Sequence, residues 1–223
     1  MSTAARPRRQ EHSKSGQART RLARAAVVRA ARTLFLERGY AGTTVEAISD
    51  LSDVPPATVY RLFSSKLGIL RALLDVSIAG DDEAVPLDSR PHVRALLADR
   101  DPRNQLSGFA GITCGIMSRT EPVHRILVSA AGSDPDAAAL LAEQTRHRQL
   151  GQSQIARSLA RAGALRAGLG EREAADIIHA LMSPEVYRLL VGDRGWAPER
   201  YEQWLKEILI GQLLPPPPSR TSA

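Results

Sequence analysis

The feature that most constrains this chain is a pair of short helical stretches, Thr44 to Leu51 and Pro56 to Leu62, joined by a tight turn. Thr43 with Glu46 makes a capping-box pattern that starts the first stretch. Pro55-Pro56 opens the second, where proline is harmless because an amide in the first turn has no helical partner. Val45, Ile48, Val59 and Phe63 read as core, with Tyr40. A helix over about 20–38 precedes the pair, with Val27, Ala30, Ala31, Leu34 and Phe35 on one stripe and Arg24, Arg29, Arg32 and Arg38 among the outward positions. Gly39 stops it, since glycine takes the left-handed conformation at little cost. Ser64-Ser65 caps a fourth helix, from about Lys66 to Ala79, that turns Leu67, Leu70, Leu74 and Ile78 inward. Two short helices about such a turn have the dimensions of a helix-turn-helix, whose second helix fits a major groove roughly 12 Å wide. On apolar spacing alone, a three-helix packing unit with no nucleic-acid partner stays open.

Nearly every other segment also reads as helix. No run alternates apolar and polar positions, and no Asn-Gly or Asp-Gly hairpin signal occurs between such runs. The fold class is all-α, with about nine helices: an N-terminal three-helix unit and a larger C-terminal helical domain. Residues 1–18 are polar and basic and predict a flexible arm, in which Arg6, Arg8, Arg9 and Lys14 are candidates for a neighbouring minor groove or a plain solubilising tail. The acidic, turn-rich stretch 80–90 marks a boundary between a unit at 19–80 and a domain at 81–214, and the prolines of 215–223 make a tail. Within the larger domain, helix starts fall at Asp101-Pro102, Glu121-Pro122 and Asp134-Pro135, the last opening a long helix to about Ala162. Two more helices follow, at about 171–192 and 198–213, and Pro184 predicts a kink or short break at Ser183.

Charge separates the two parts. Residues 1–66 hold 12 Lys/Arg against 5 Asp/Glu, whereas residues 67–223 hold 18 against 19. A positive field confined to one end suits a polyanion, because neutralising phosphates releases condensed counterions; a solvated charged face is the plainer reading. Cys114 is the only cysteine, so no internal disulfide can form. No apolar run approaches the ~18 residues that span a bilayer, and the N-terminus lacks a secretory apolar core; no membrane association and a cytoplasmic location are expected. Gly-rich phosphate loops and nucleophile elbows are absent. His12, His92, His124, His147 and His179 lie too far apart for ligand spacing on one helix face. The expectation is no enzyme, no cofactor and no metal, with a helical enzyme kept as a minor alternative.

The run LFLERGYAGTTVEAISDLSDVPPATVYRLFSSKLGILRAL resembles the signature of TetR-family transcriptional regulators along its whole length. The landmarks are Ala31, Phe35, Gly39, Tyr40, Thr43-Thr44-Val45, Ile48, Val54, Thr58, Val59, Tyr60, Phe63, Ser65-Lys66 and Leu70. The departures fall at the turn and on the second helix, where Asp53, Pro55, Ala57 and Leu62 replace the residues usual in the family. The resemblance implies a repressor that binds double-stranded operator DNA as a homodimer and is released by a small-molecule effector. It turns Pro56, Ala57, Thr58 and Arg61 toward the groove, and Thr44, Tyr60 and Lys66 toward phosphates. Arg61 then suits a bidentate pair with guanine, and Thr58 and Ala57 suit a thymine methyl.

The last two helices carry wide apolar surface, Ile178, Leu181, Val186 and Leu189 on one and Tyr201, Trp204, Leu205, Ile208 and Leu209 on the other. The resemblance implies that they form the dimer interface; packing inside one subunit is the alternative. Phe109, Cys114, Met117, His124, His147 and Met182 combine apolar walls with a few polar groups and are the candidate effector pocket, each otherwise ordinary core or surface. A protein that coats DNA without an effector is the rival reading, and activation is not separable from repression at this level.

Overall fold

A computed structural model describes residues 8–80 and 89–216, with side chains from residue 16 onward. Ten α-helical segments run in order: α1 (Arg8–Arg38), α2 (Val45–Ser52), α3 (Pro56–Phe63), α4 (Lys66–Ala79), α5 (Pro91–Ala98), α6 (Pro102–Ala131), α7 (Pro135–Arg161), α8 (Glu171–Leu181), α9 (Pro184–Tyr187) and α10 (Pro198–Leu213). A π-helical turn, Arg188–Asp193, continues α9. No strand occurs among the described residues.

Two apolar cores organise the helices. The first gathers Val27, Ala31 and Phe35 of α1, Ile48 of α2, Val59 and Phe63 of α3, and Ile69 and Leu70 of α4. Val123, Ile126 and Leu127 of α6 and Leu140 of α7 complete it. The chain boundary near residue 80 therefore does not separate the cores, because the end of α6 and the start of α7 finish the N-terminal one. The second core lies between α6, α7, α8 and α10 and is centred on Leu106, Ala110, Leu159, Ile178, Tyr201 and Leu205.

Several local expectations are corrected. The helix expected from residue 20 extends back to Arg8, so the segment 8–18 is helical where an arm was expected; its residues include good helix formers and no proline. The rest of that arm and the residues 217–223 of the expected tail lie outside the described residues, as do the side chains of Arg6, Arg8, Arg9 and Lys14. Pro122 starts no new helix. It sits inside α6, flanked by buried Thr120, Val123, Ile126 and Leu127, and their burial offsets the ~3 kcal/mol that an interior proline costs. The break expected at Pro184 is present, with Ser183 as the cap of α9, its hydroxyl accepting from the Val186 amide at 3.2 Å.

Candidate DNA-binding and effector sites

The turn between α2 and α3 is built without glycine. Asp53 takes the left-handed conformation (φ 53°, ψ 35°), which aspartate tolerates better than most residues. Ser49 locks the turn from inside: its hydroxyl donates to the Val54 carbonyl at 2.6 Å while the Val54 amide returns to the Ser49 carbonyl at 3.3 Å. α3 then starts at Pro55, with no side-chain oxygen on the amides of its first turn. Its carbonyl accepts from Thr58 at 2.8 Å and Val59 at 3.1 Å. Val59 and Phe63 face the core, and Pro56, Ala57, Tyr60 and Arg61 are exposed, Tyr60 by 46%. Thr58 is half-buried. Those five positions make one outward surface, bounded on α2 by exposed Thr44.

Thr44, not Thr43, caps α2, accepting from the Ala47 amide at 3.1 Å. Thr43 is fully buried and donates instead to the carbonyls of Leu34 (3.2 Å) and Gly39 (2.8 Å), which decides between two adjacent threonines. Lys66 is also turned inward. Its Nζ donates to the carbonyls of Tyr40 (2.7 Å) and Thr43 (2.8 Å) and lies 4.3 Å from the centre of the Tyr40 ring. Loss of solvent lowers its pKa. A residue expected to reach phosphate thus spends two of its three protons tying α4 to the loop ahead of α2. Arg24, expected merely to face outward, donates to the Leu62 carbonyl at 2.9 Å and covers the Phe63 ring, bracing the end of α3 against α1. After α3 the chain turns through Ser64 (φ 66°), and Ser65 caps α4 by accepting from Gly68. A side chain at Gly68 would overlap the Phe63 carbonyl oxygen.

α4 is held at its far end as well. Arg119 of α6 donates to the carbonyls of Ser77 (3.0 Å) and Ile78 (3.3 Å) in its last turn. Beside that end lies a cavity of about 700 Å³, within the range of small-molecule sites. Leu74, Asp75 and Ile78 of α4 line it together with residues of α5, α6, α7 and the α8–α9 junction. Of the six expected effector residues, Phe109, Met117, His124, His147 and Met182 are on its wall. Cys114 is not: its Sγ donates to the Pro198 carbonyl at 3.3 Å inside the second core, and burial pushes its pKa up. Burial lowers the pKa of His124. The sequence reading missed Arg148, Gln152, Thr113 and Thr120, which also face the cavity and which no local pattern distinguishes.

The expected interface splits in two. Ile178, Tyr201, Leu205 and Leu209 have no accessible surface within one protomer, so they hold α8 and α10 to α6 and α7 and are unavailable to a second copy. Tyr201, Leu205, Leu209 and Leu213 form one straight i, i+4 row, which is the buried stripe. Leu181, Val186, Trp204 and Ile208 are half-buried and Leu189 is 50% exposed, so of the nine expected interface residues these five keep accessible surface.

Residues 27–73 match the model of the family described as bacterial regulatory proteins, tetR family. The HTH-type transcriptional regulator TcmR of Streptomyces glaucescens is 29% identical over 150 residues, covering 65% of this chain and 62% of that protein, so the match spans less than two thirds of the relative's length. Among solved structures, a transcriptional regulator of Saccharomonospora viridis in complex with choline superposes with a TM-score of 0.65 at 19% identity, over 87% of this chain and 98% of its own. The SmeT–triclosan complex superposes with a TM-score of 0.67 at 16% identity, over 90% and 98%. At such identities the likeness is one of fold.

Proposed function

We propose that this chain, whose residues 27–73 match the tetR family model, is a homodimeric, ligand-responsive transcriptional repressor of that family that reads a palindromic operator through α3 and lets go when a small molecule fills the cavity. The observation that carries this reading is the double anchorage of α4. Lys66 ties its first residue to the loop before α2, and Arg119 ties its last turn to α6, while Leu74, Asp75 and Ile78 form part of the cavity wall. A ligand that binds better to a conformation with α4 displaced lowers operator affinity by the same differential. Choline and triclosan occupy the two related structures named above, which supports a small-molecule site in this fold.

A two-fold dimer sets its recognition helices one DNA turn apart, about 34 Å, and so requires an inverted repeat. Leu181, Val186, Leu189, Trp204 and Ile208 are the surface this reading assigns to the dimer. Selection of bound sequences from random DNA is expected to return one palindrome; a protein that coats DNA would bind random duplexes nearly as well. Arg61→Ala is expected to weaken that site by roughly 10- to 100-fold and to relax one base position, and Thr58→Ala by less. If both leave site and affinity unchanged, α3 is not the reading element. Sedimentation equilibrium is expected to show a dimer that Leu189→Arg converts to monomer, and a wild type already monomeric at micromolar concentration sinks the dimer.

A further inference from the structure

The cavity wall holds a half-buried cation, one of whose nitrogens has no partner in the protein. Arg148 of α7 lines it, and the Arg148 Nε is sealed from solvent with no hydrogen-bond partner. Among the described residues no carboxylate lies within ion-pair distance of its guanidinium. Glu185, which is exposed, acts on it only from longer range, and loss of solvent is the larger influence. Two other polar groups of the wall, Gln152 and Asp75, have interactions of their own. Gln152 donates to the Met182 carbonyl at 3.4 Å, and its Oε1 pairs with His179 Nδ1 at 2.8 Å. Asp75 shares its surroundings with Arg71, Glu143, Arg24 and His147, a different group of charges from the Glu185, His124 and His179 that neighbour Arg148.

A buried guanidinium stays protonated, so the unmade bond is a lasting cost. Phe109, Ile116, Met117, Ile155 and Met182 make the surrounding wall apolar. Accepting the cavity as the effector site, we infer that its ligand is an amphiphile with an apolar body and a carboxylate, which pairs with the Arg148 guanidinium from the side of its Nη groups. The planar fork of arginine matches the two oxygens of a carboxylate, and such a charge-assisted pair is about twice as strong as a neutral hydrogen bond.

The test is calorimetric titration of the full chain with decanoate, decanol and decyltrimethylammonium, which share an alkyl body and differ in head charge. Decanoate is expected to bind about tenfold or more tightly than decanol, with the ammonium weakest. Arg148→Met keeps the aliphatic bulk and removes the donors. It is expected to bring decanoate down to the affinity of decanol, leave decanol itself unchanged, and not lower the melting temperature, because the lost group makes no bond. Equal binding of decanoate and decanol by the wild type, a preference that survives in Arg148→Met, tighter binding of the ammonium, binding of none of the three, or an unfolded Arg148→Met would each overturn the inference. Operator binding by the ligand-free wild type is measured separately: its absence, with the carboxylate preference intact, removes the repressor reading and leaves the ligand class standing.

Discussion

The N-terminal head, α1 to the start of α4, and the helical body, α6 to α10, are both built from apolar helix faces, yet they are finished differently. In the head, the polar groups drawn inside are bound to backbone carbonyls: Thr43 to Leu34 and Gly39, Ser49 to Val54, Lys66 to Tyr40 and Thr43. The body keeps about 700 Å³ open and places an unsatisfied guanidinium nitrogen in its wall. Under the proposed function, the difference separates a part that must present one shape from a part that must accept another molecule.

Equal truncations should therefore cost unequal amounts. Ile48→Ala empties a filled site in the head and is expected to cost about 2–5 kcal/mol. Met117→Ala removes a side chain that already borders open space, so its cost should fall at or below the bottom of that range. Urea unfolding of both variants checks this; equal losses would show that the body is as tightly packed as the head. Next in size is Lys66→Met. Breaking its two bonds to carbonyls is expected to destabilise the head by about 1–3 kcal/mol while leaving the salt dependence of operator binding unchanged. A shallower salt slope would return Lys66 to the phosphate backbone.

The smallest effect is on pH. Burial holds the pKa of His124 below its ordinary value of 6.5, so as pH falls the unfolded chain takes up that proton first. The stability from a neutral His124 is complete above pH 6.5 and is lost as pH drops through 6.5 toward the lower folded value. The slope is at most about 1.4 kcal/mol per pH unit, and His124→Gln should flatten it. Desolvation raises the pKa of Asp75, so its contribution runs in the opposite sense at more acidic pH. Because burial lowers the pKa of His179 in the same sense, melting curves between pH 7 and 5 are compared for the wild type and His124→Gln, and identical profiles would show that His124 reaches solvent.

The head was legible because its rules are local. A cap lies within three residues of the amide it serves, and the spacing of Ile48, Val59 and Phe63 already states which face is inward. The slip of Thr43 for Thr44 lies between neighbours of the same type, told apart by the Leu34 and Gly39 carbonyls that Thr43 reaches, and that of Lys66 lies in a contact 23 and 26 residues away in sequence. The body resists such reading. α10 carries two apolar rows, and nothing in its periodicity says that Tyr201, Leu205 and Leu209 turn inward while Trp204 and Ile208 keep some accessible surface. Cys114 and Met117 lie on one helix less than a turn apart, yet one meets α10 and the other the cavity. Arg148 was one arginine among many, since its isolation depends on α8, α9 and α6 closing around it.

In the head, the tasks of holding and of reading fall on different residues. Arg24, Thr43, Ser49 and Lys66 fix the backbone of the turn and its flanks, while Pro56, Ala57, Tyr60 and Arg61 face outward from α3. Of those four, Pro56 begins the helix; the side chains of the other three make no hydrogen bond or ion pair among the described residues. Mutation can rewrite Ala57, Tyr60 and Arg61 without passing through an unfolded intermediate, so under the proposed function a duplicated copy of such a gene is free to drift toward a new operator one base at a time.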